Sequence, residues 1–361
     1  MNLLDLYLRF QRDWVSRRSP SSPVAVRAAL ASPKRIAVCV RGDPRLPPAA
    51  LPSLRLLRER FPDARLLLAA GPANAPVFRR EKAADRTLIL RPSTGVGLVR
   101  EVRRAGKEIA ELKPDFLLLL DPGPDPALLA LAHASQVPLR IGFGRGDHSP
   151  FLNFEVAPPG GDQYLAGSLL ALTGAITGRF VDFLDDSVRW RVPEPDARRA
   201  DRLIHFWQPR AEELIVALEP AGIGGREPDI EKYAAVARLL ARSYRARILI
   251  VTEPENRPAG EELERRLAFL EPYRAPVDEH AQVVAFLSRA DLAVCTNTPL
   301  FHYAVALGVP AVGLFPENVE PWYRPPAGAA AAVLPLQKEI TEERFLAAVD
   351  GLGALVAGSG E

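Results

Sequence analysis

The chain has 361 residues, and at about 100 to 200 residues per domain this length predicts two domains rather than one small binding module. Its apolar fraction of 48% and charged fraction of 25% are those of globular proteins, which excludes a disordered or collagen-like chain. Lys plus Arg number 46 against 44 for Asp plus Glu, so the net charge of +2 supplies no bulk attraction for nucleic acid, and no nucleic-acid partner is expected.

In chain order, residues 1–18 put Leu3, Tyr7, Phe10 and Trp14 on one helical face, with Arg9, Arg12, Arg17 and Arg18 elsewhere. Such a face suits docking on the protein's own domains, a protein partner, or an anionic membrane surface. The segment lacks the basic opening, apolar core and cleavage site of a signal peptide, and no apolar run reaches the length of a membrane span. The expected location is the cytoplasm, with peripheral contact at the inner face of the plasma membrane left open. Ser19 to Pro23 reads as a linker, so residues 1–33 form a helical extension.

From Ile36 short apolar runs alternate with helical patterns, the signature of a parallel sheet covered on both faces. Strands are expected at Ile36 to Val40, Arg65 to Ala70, Thr87 to Leu90, Asp115 to Leu120 and Leu139 to Phe143, with helices such as Pro52 to Phe61 and Leu98 to Leu112 between them. The pattern loosens from Phe151 to Val192. A polar helix, Asp196 to His205, then leads to a fresh strand at Leu214 to Leu218. The alternation repeats with helix Ile230 to Ala241, strand Arg247 to Val251, helix Gly260 to Phe269, strand Leu292 to Cys295, helix Leu300 to Leu307 and strand Ala311 to Phe315. The last helix, Glu342 to Leu355, has Thr341 as its N-cap and is free to cross back to the first half. The fold class is therefore α/β, with two doubly wound Rossmann-like domains, 34–193 and 194–340, facing a central cleft, and residues 341–361 forming the terminal helix. Cys39 and Cys295 lie inside apolar runs, which gives neither a disulfide framework nor a Cys-based metal site and fits a reducing compartment.

Ligands of such folds bind in the loops after the strands. The loop Glu219 to Arg226 holds three glycines and runs into a helix; Ala221, Gly222 and Gly224 let a phosphate approach the backbone, and Arg226 can pair with it bidentately. Its spacing matches neither the P-loop nor GxGxxG, so a plain βα turn fits as well. The loop Thr296 to His302 opens a helix at Pro299, with Asn297 or Thr298 as cap and His302 about one turn inside, either donating to a ligand or packed against the sheet. Glu253 and Glu255 follow another strand, where acids accept from ribose hydroxyls in nucleotide folds. Asp43 is the one acid of the loop Arg41 to Arg45, which makes it the general-base candidate, although an Asp-Pro turn explains it equally. His133, His148, His205 and His280 have no metal-ligand spacing, and no metal site is expected.

Several of these segments resemble glycosyltransferase family 9, the lipopolysaccharide heptosyltransferases, from about Ile36 to Ile340. Leu51-Pro52-Ser53-Leu54-Arg55 to Phe61-Pro62-Asp63-Ala64 is similar to the family's LPALRALRERFPDA segment, and Arg140-Ile141-Gly142-Phe143 to its riGf strand. Glu219 to Gly222 resembles its hPGa loop, Arg226 falls where its phosphate-facing Lys sits, and Asn297 to Phe315 resembles DSGpmHlAaalgvPvvalF. The resemblance implies a GT-B fold and inverting, metal-independent transfer of a sugar, heptose among the candidates, from a nucleotide donor, ADP-linked before others, to a glycolipid or cell-surface glycan, with no further cofactor. Two departures stand out. An ungapped alignment of Ile36 to Pro52 puts Leu46 at the family's catalytic Asp and Arg45 at the Gly before it, while Asn297 and Pro299 replace the acid and glycine of DSG. The same departures motivate an alternative, a catalytically inactive binding or scaffold subunit.

Overall fold

The computed structural model describes residues 25–40, 42–123, 125–144, 151–160, 164–210, 212–222, 227–278, 280–335 and 341–353. The amphipathic face expected at residues 1–18, and with it the linker, lies outside them. Among the described residues the chain divides into two compact units, meeting in sequence between Val188 and Arg189.

The first unit runs α1 (Val26–Ala31), β1 (Arg35–Val40), α2 (Leu46–Arg60), β2 (Arg65–Ala70), α3 (Ala75–Arg80), β3 (Arg86–Ile89), α4 (Gly95–Glu111), β4 (Phe116–Leu120), α5 (Pro126–Ala134), β5 (Leu139–Phe143), β6 (Phe154–Val156) and α6 (Leu165–Thr177). Its strands form one parallel sheet in the order β3-β2-β1-β4-β5-β6. Strands such as Phe-Leu-Leu-Leu-Leu are buried along their whole length because helices cover both faces. Ala37, Cys39, Leu67, Leu117 and Leu119 pack with Ile109, Leu128 and Leu131 of α4 and α5 on one face, while α2 and α6 pack together.

Three elements of this unit depart from the sequence pattern. Helix α2 begins at Leu46 rather than near Pro52, since Pro47 and Pro48 occupy the first turn, where the missing N–H groups have no partner to lose. Helix α6 and strand β6 lie where the pattern loosens. In α6 the sequence LAGSLLALTGAIT is buried nearly all round, so it lacks the polar stripe by which an amphipathic helix is read. It ends on Gly178 at φ +75°, the left-handed C-terminal cap that glycine adopts without strain.

The second unit runs α7 (Glu194–Trp207), β7 (Leu214–Leu218), α8 (Ile230–Tyr244), β8 (Ala246–Ile250), α9 (Arg257–Arg266), β9 (Tyr273–Arg274), α10 (His280–Leu287), β10 (Leu292–Thr296), α11 (Pro299–Leu307), β11 (Ala311–Phe315), β12 (Ala331–Pro335) and α12 (Glu342–Asp350). Its parallel sheet has the order β12-β11-β10-β7-β8-β9. The chain therefore winds outward in both directions from β7 and β10, which are neighbours at the centre. Helix α12, capped by the Thr341 side chain as expected, packs onto this unit: Phe345 and Val349 join its core, Arg242 pairs with Glu342 at 2.7 Å, and the Tyr244 hydroxyl donates to Asp350 at 2.6 Å.

Candidate donor site and general-base loop

In the second unit the carboxyl ends of β7, β8 and β10 lie side by side at the point where the strand order reverses, the place where open α/β sheets bind ligands. Strand β7 is wholly apolar, and the residue that ends its run is Glu219. Its N–H donates to the Val294 carbonyl of β10 at 3.0 Å, and its side chain is fully buried. The Thr298 hydroxyl donates to Oε2, while Oε1 is buried without a hydrogen-bond partner. Burial, reinforced by the charge of Glu253, holds the Glu219 carboxyl well above the ordinary carboxylate range, and the Thr298 hydrogen bond opposes this only in part. Glu219 is thus an acid held toward its neutral form at the centre of the unit. The same burial, with Glu219 nearby, pushes the Cys295 thiol up.

Thr298 occupies the N-cap position of α11 but gives no side-chain cap, since its hydroxyl is committed to Glu219. Pro299 opens the helix, so its first N–H groups are left to the backbone and to any anion placed there. His302 Nε2 lies 3.0 Å from Asn297 Oδ1, which accepts from the ring N–H. The ring is fully buried, edge-on to Phe301 at 5.5 Å and tilted on Tyr323 at 5.7 Å. His302 thus braces Asn297 from within the core and has no exposed edge to offer a ligand.

Ala221 and Gly222 continue from Glu219. The Ala221 N–H donates to the Glu219 carbonyl at 3.0 Å, and the Ala221 carbonyl accepts from the hydroxyl of buried Tyr233 on α8 at 3.2 Å, which ties the start of the loop to the sheet. Gly224 and Arg226 lie outside the described residues. After β8, Val251 N–H still donates to the Leu218 carbonyl, and Glu253 follows as a buried acid, while Glu255 stands exposed in a short 3-10 turn, Pro254–Asn256. Glu253, Glu219, Asn297 and Thr298 are therefore brought to one edge by three adjacent strands. Glu253, Asn297 and Thr298 are legible in the sequence from their loops; Glu219 is not among the expected site residues, although a charge closing a five-residue apolar strand is a signal for it.

Asp43 belongs to the first unit, in the loop after β1. Arg45 grips its carboxylate: Nε donates to Oδ1 at 3.0 Å, Nη2 to Oδ2 at 2.7 Å, and the Arg45 backbone N–H to Oδ1 at 2.9 Å. Its carbonyl accepts from the amide of buried Asn74 at 2.8 Å. The loop is pressed against the one after β2, since a Cβ on Gly71 would lie 2.8 Å from the Gly42 Cα. Leu46, three residues on, is a buried core residue of α2 and offers no position for an exposed acid. Among the described residues no cluster of His, Cys, Asp and Glu is arranged to hold a metal ion, and no helix is long and apolar enough to cross a membrane.

Two doubly wound parallel sheets, each six-stranded among the described residues, make this a protein of the GT-B type, built from two Rossmann-like units. The model of glycosyltransferase family 9 (heptosyltransferase) matches residues 102–344, more than half of the chain, and the chain belongs to that family. A glycosyl transferase family 9 structure from Veillonella parvula has a TM-score of 0.69 at 17% identity, over 88% of this chain and 97% of that one. The ADP-heptose lps heptosyltransferase II of E. coli gives 0.66 at 18% over 90% and 100%, and an E. coli heptosyltransferase solved with ADP-2-deoxy-2-fluoro heptose gives 0.63 at 15% over 88% and 99%. At these identities the likeness is one of fold. No curated protein matches the chain.

Proposed function

We propose that this chain transfers a sugar, heptose first among the candidates, from an ADP-linked or similar nucleotide donor to a hydroxyl of a lipopolysaccharide, another cell-surface glycan or a glycolipid. Transfer proceeds with inversion and without metal or other cofactor, at the cytoplasmic side of the membrane. The observation that carries this reading is the convergence of Glu253, Thr298 and the start of α11, and the Ala221–Gly222 turn on three adjacent strand ends of a family 9 chain. The Gly222 N–H at the turn and the first N–H groups of α11 receive the donor diphosphate, and the resemblance assigns Arg226 its charge. Glu253 accepts from a ribose hydroxyl. The glycosidic carbon loses its bond to the diphosphate oxygen and gains one to the acceptor oxygen on the opposite face, while Asp43 takes the acceptor's proton. The nucleoside diphosphate leaves, its growing charge met by the same N–H groups.

Calorimetric titration with ADP, UDP, GDP and ADP-heptose, followed by transfer assays of wild type and Asp43→Asn, tests this. Asn keeps the oxygen that the Arg45 N–H requires and removes the base. The expected result is binding of one nucleotide, unchanged in the variant, with transfer lowered about 10²- to 10⁴-fold. The grip of Arg45 on both Asp43 oxygens favours a second reading, a nucleotide-binding subunit without turnover. Binding without transfer in wild type would establish that reading, and no binding of any nucleotide would sink both.

A further inference from the structure

The first unit holds a cavity of about 460 Å³ at the carboxyl ends of β1, β2 and β3, beside the first turns of α4 and α5. The two helices approach closely further along, where a Cβ on Gly106 would lie 2.8 Å from the Ala134 Cβ. Beside their earlier turns the cavity is walled by Leu90, Leu98, Val102, Leu128 and Leu131, with Ala73, Ala105 and Ala127 leaving the room. Its size falls within the range of small-molecule sites, roughly 300 to 1,000 Å³.

The lining decides what can occupy it. A sugar ring needs several free hydrogen-bonding groups and commonly an aromatic face, and no aromatic side chain lines this cavity. The two carboxylates present are already engaged. Glu101 accepts from the Arg91 N–H at 2.8 Å and from Arg104 through Nε, also at 2.8 Å, and Asp125 accepts from Ala127 N–H at 2.7 Å as the N-cap of α5. What remains is a mostly aliphatic wall with the Ser93 hydroxyl and one exposed guanidinium, Arg91, whose charge also reaches Glu101. Guanidinium groups pair with phosphate in a bidentate manner.

We propose that this cavity binds an aliphatic chain ending in a phosphate, with the chain among Leu90, Leu98, Val102, Leu128 and Leu131 and the phosphate on Arg91. The loop after β1 contributes Gly42 to the lining, and the next residue is Asp43. Resting on the reading of Asp43 as acceptor-side base, the chain it holds is the lipid of the acceptor, so the acceptor is a lipid-linked phosphate carried into the site by its tail.

The test is calorimetry on the full chain with octyl, decyl, dodecyl and hexadecyl phosphate below their micelle concentrations, with glucose 1-phosphate and inorganic phosphate as controls. Affinity is expected to rise about fourfold per methylene and then level off when the fixed volume is full. Arg91→Gln should weaken dodecyl phosphate severalfold, and Ala127→Phe, which occupies the cavity from α5, at least tenfold. Absence of binding, a rise that continues unbroken to hexadecyl phosphate, or displacement of the alkyl phosphate by glucose 1-phosphate would each overturn the proposal. The wild-type chain-length series stands whether or not the Phe variant folds. Alkyl phosphate binding without any nucleotide binding would keep the lipid site and remove glycosyl transfer; nucleotide binding and transfer without alkyl phosphate binding would do the reverse.

Discussion

Glu219 is where the chemistry of a single residue reaches the stability of the protein. Its carboxyl is held above the ordinary range by burial and by Glu253, so the folded chain keeps a proton that the unfolded chain releases near pH 4.3 to 4.5. Folding therefore takes up a proton above that value, and stability contributed by the neutral acid falls as pH rises through the folded pKa. The other groups facing it, the Cys295 thiol and the Tyr233 hydroxyl, are both raised and neutral across this range, which leaves Glu253 as the opposing charge. Glu219→Gln imitates the protonated form and keeps an acceptor for Thr298. Its unfolding free energy should equal that of wild type near pH 4 and exceed it increasingly above pH 5, by about 1.4 kcal/mol for each pH unit until the folded pKa is passed, with Tm moving in the same direction. A Tm difference that is flat from pH 5 to pH 8 would mean that Glu219 is not the proton-holding group. Nothing in periodicity could have revealed this behaviour. The identity of residue 219 was visible, but its neutrality depends on the side chains of β8 and α11, which sequence spacing alone does not bring together.

Among the elements, legibility followed amphipathicity and punctuation. Strands such as β1 and β4 were readable because apolar runs of five or six residues, bounded by charges or prolines, have few other folds available. Helix α6 was hidden by the opposite property, an apolar surface on every side. At α2 the prolines masked the true start, and this bears on the missing acid. Because the helix already runs from Leu46, that residue's side chain points into the core at 2% exposure. Restoring the family's acid there by Leu46→Asp would bury an unpaired carboxylate, a heavier loss than the roughly 2 to 5 kcal/mol of a Leu→Ala core truncation. Denaturant unfolding should report that loss, with transfer activity no higher than wild type. A stable Leu46→Asp variant with enhanced transfer would instead assign the base to position 46 and relieve Asp43 of the role.

For the molecule as a whole, the proposed labour is divided between two units with separate cores. Every described donor-site residue lies between Glu219 and the first turn of α11, in the second unit, and Asp43 and the alkyl cavity belong to the first. This halving was legible in the repeated strand-helix alternation, whereas the packing of α12 onto the second unit was not, since its apolar stripe states only that a partner exists. Ligand linkage turns the division into an observable. A nucleotide at 100 times its Kd stabilises the state that binds it by about 2.7 kcal/mol, which slows amide exchange about a hundredfold wherever exchange requires the site to open. Hydrogen exchange on the full chain with saturating ADP should therefore slow at β7, β8, β10 and the first turns of α8 and α11, and leave β1, β2 and β4 at their unliganded rates. Dodecyl phosphate should give the converse pattern, slowing the ends of β1 to β3 and the first turns of α4 and α5. Protection by ADP confined to the first unit would move the donor site out of the second and remove Glu253 and Thr298 from it. Equal protection of both units by either ligand would show that they open as one cooperative body, and the two sites would then have to be resolved by the point variants instead.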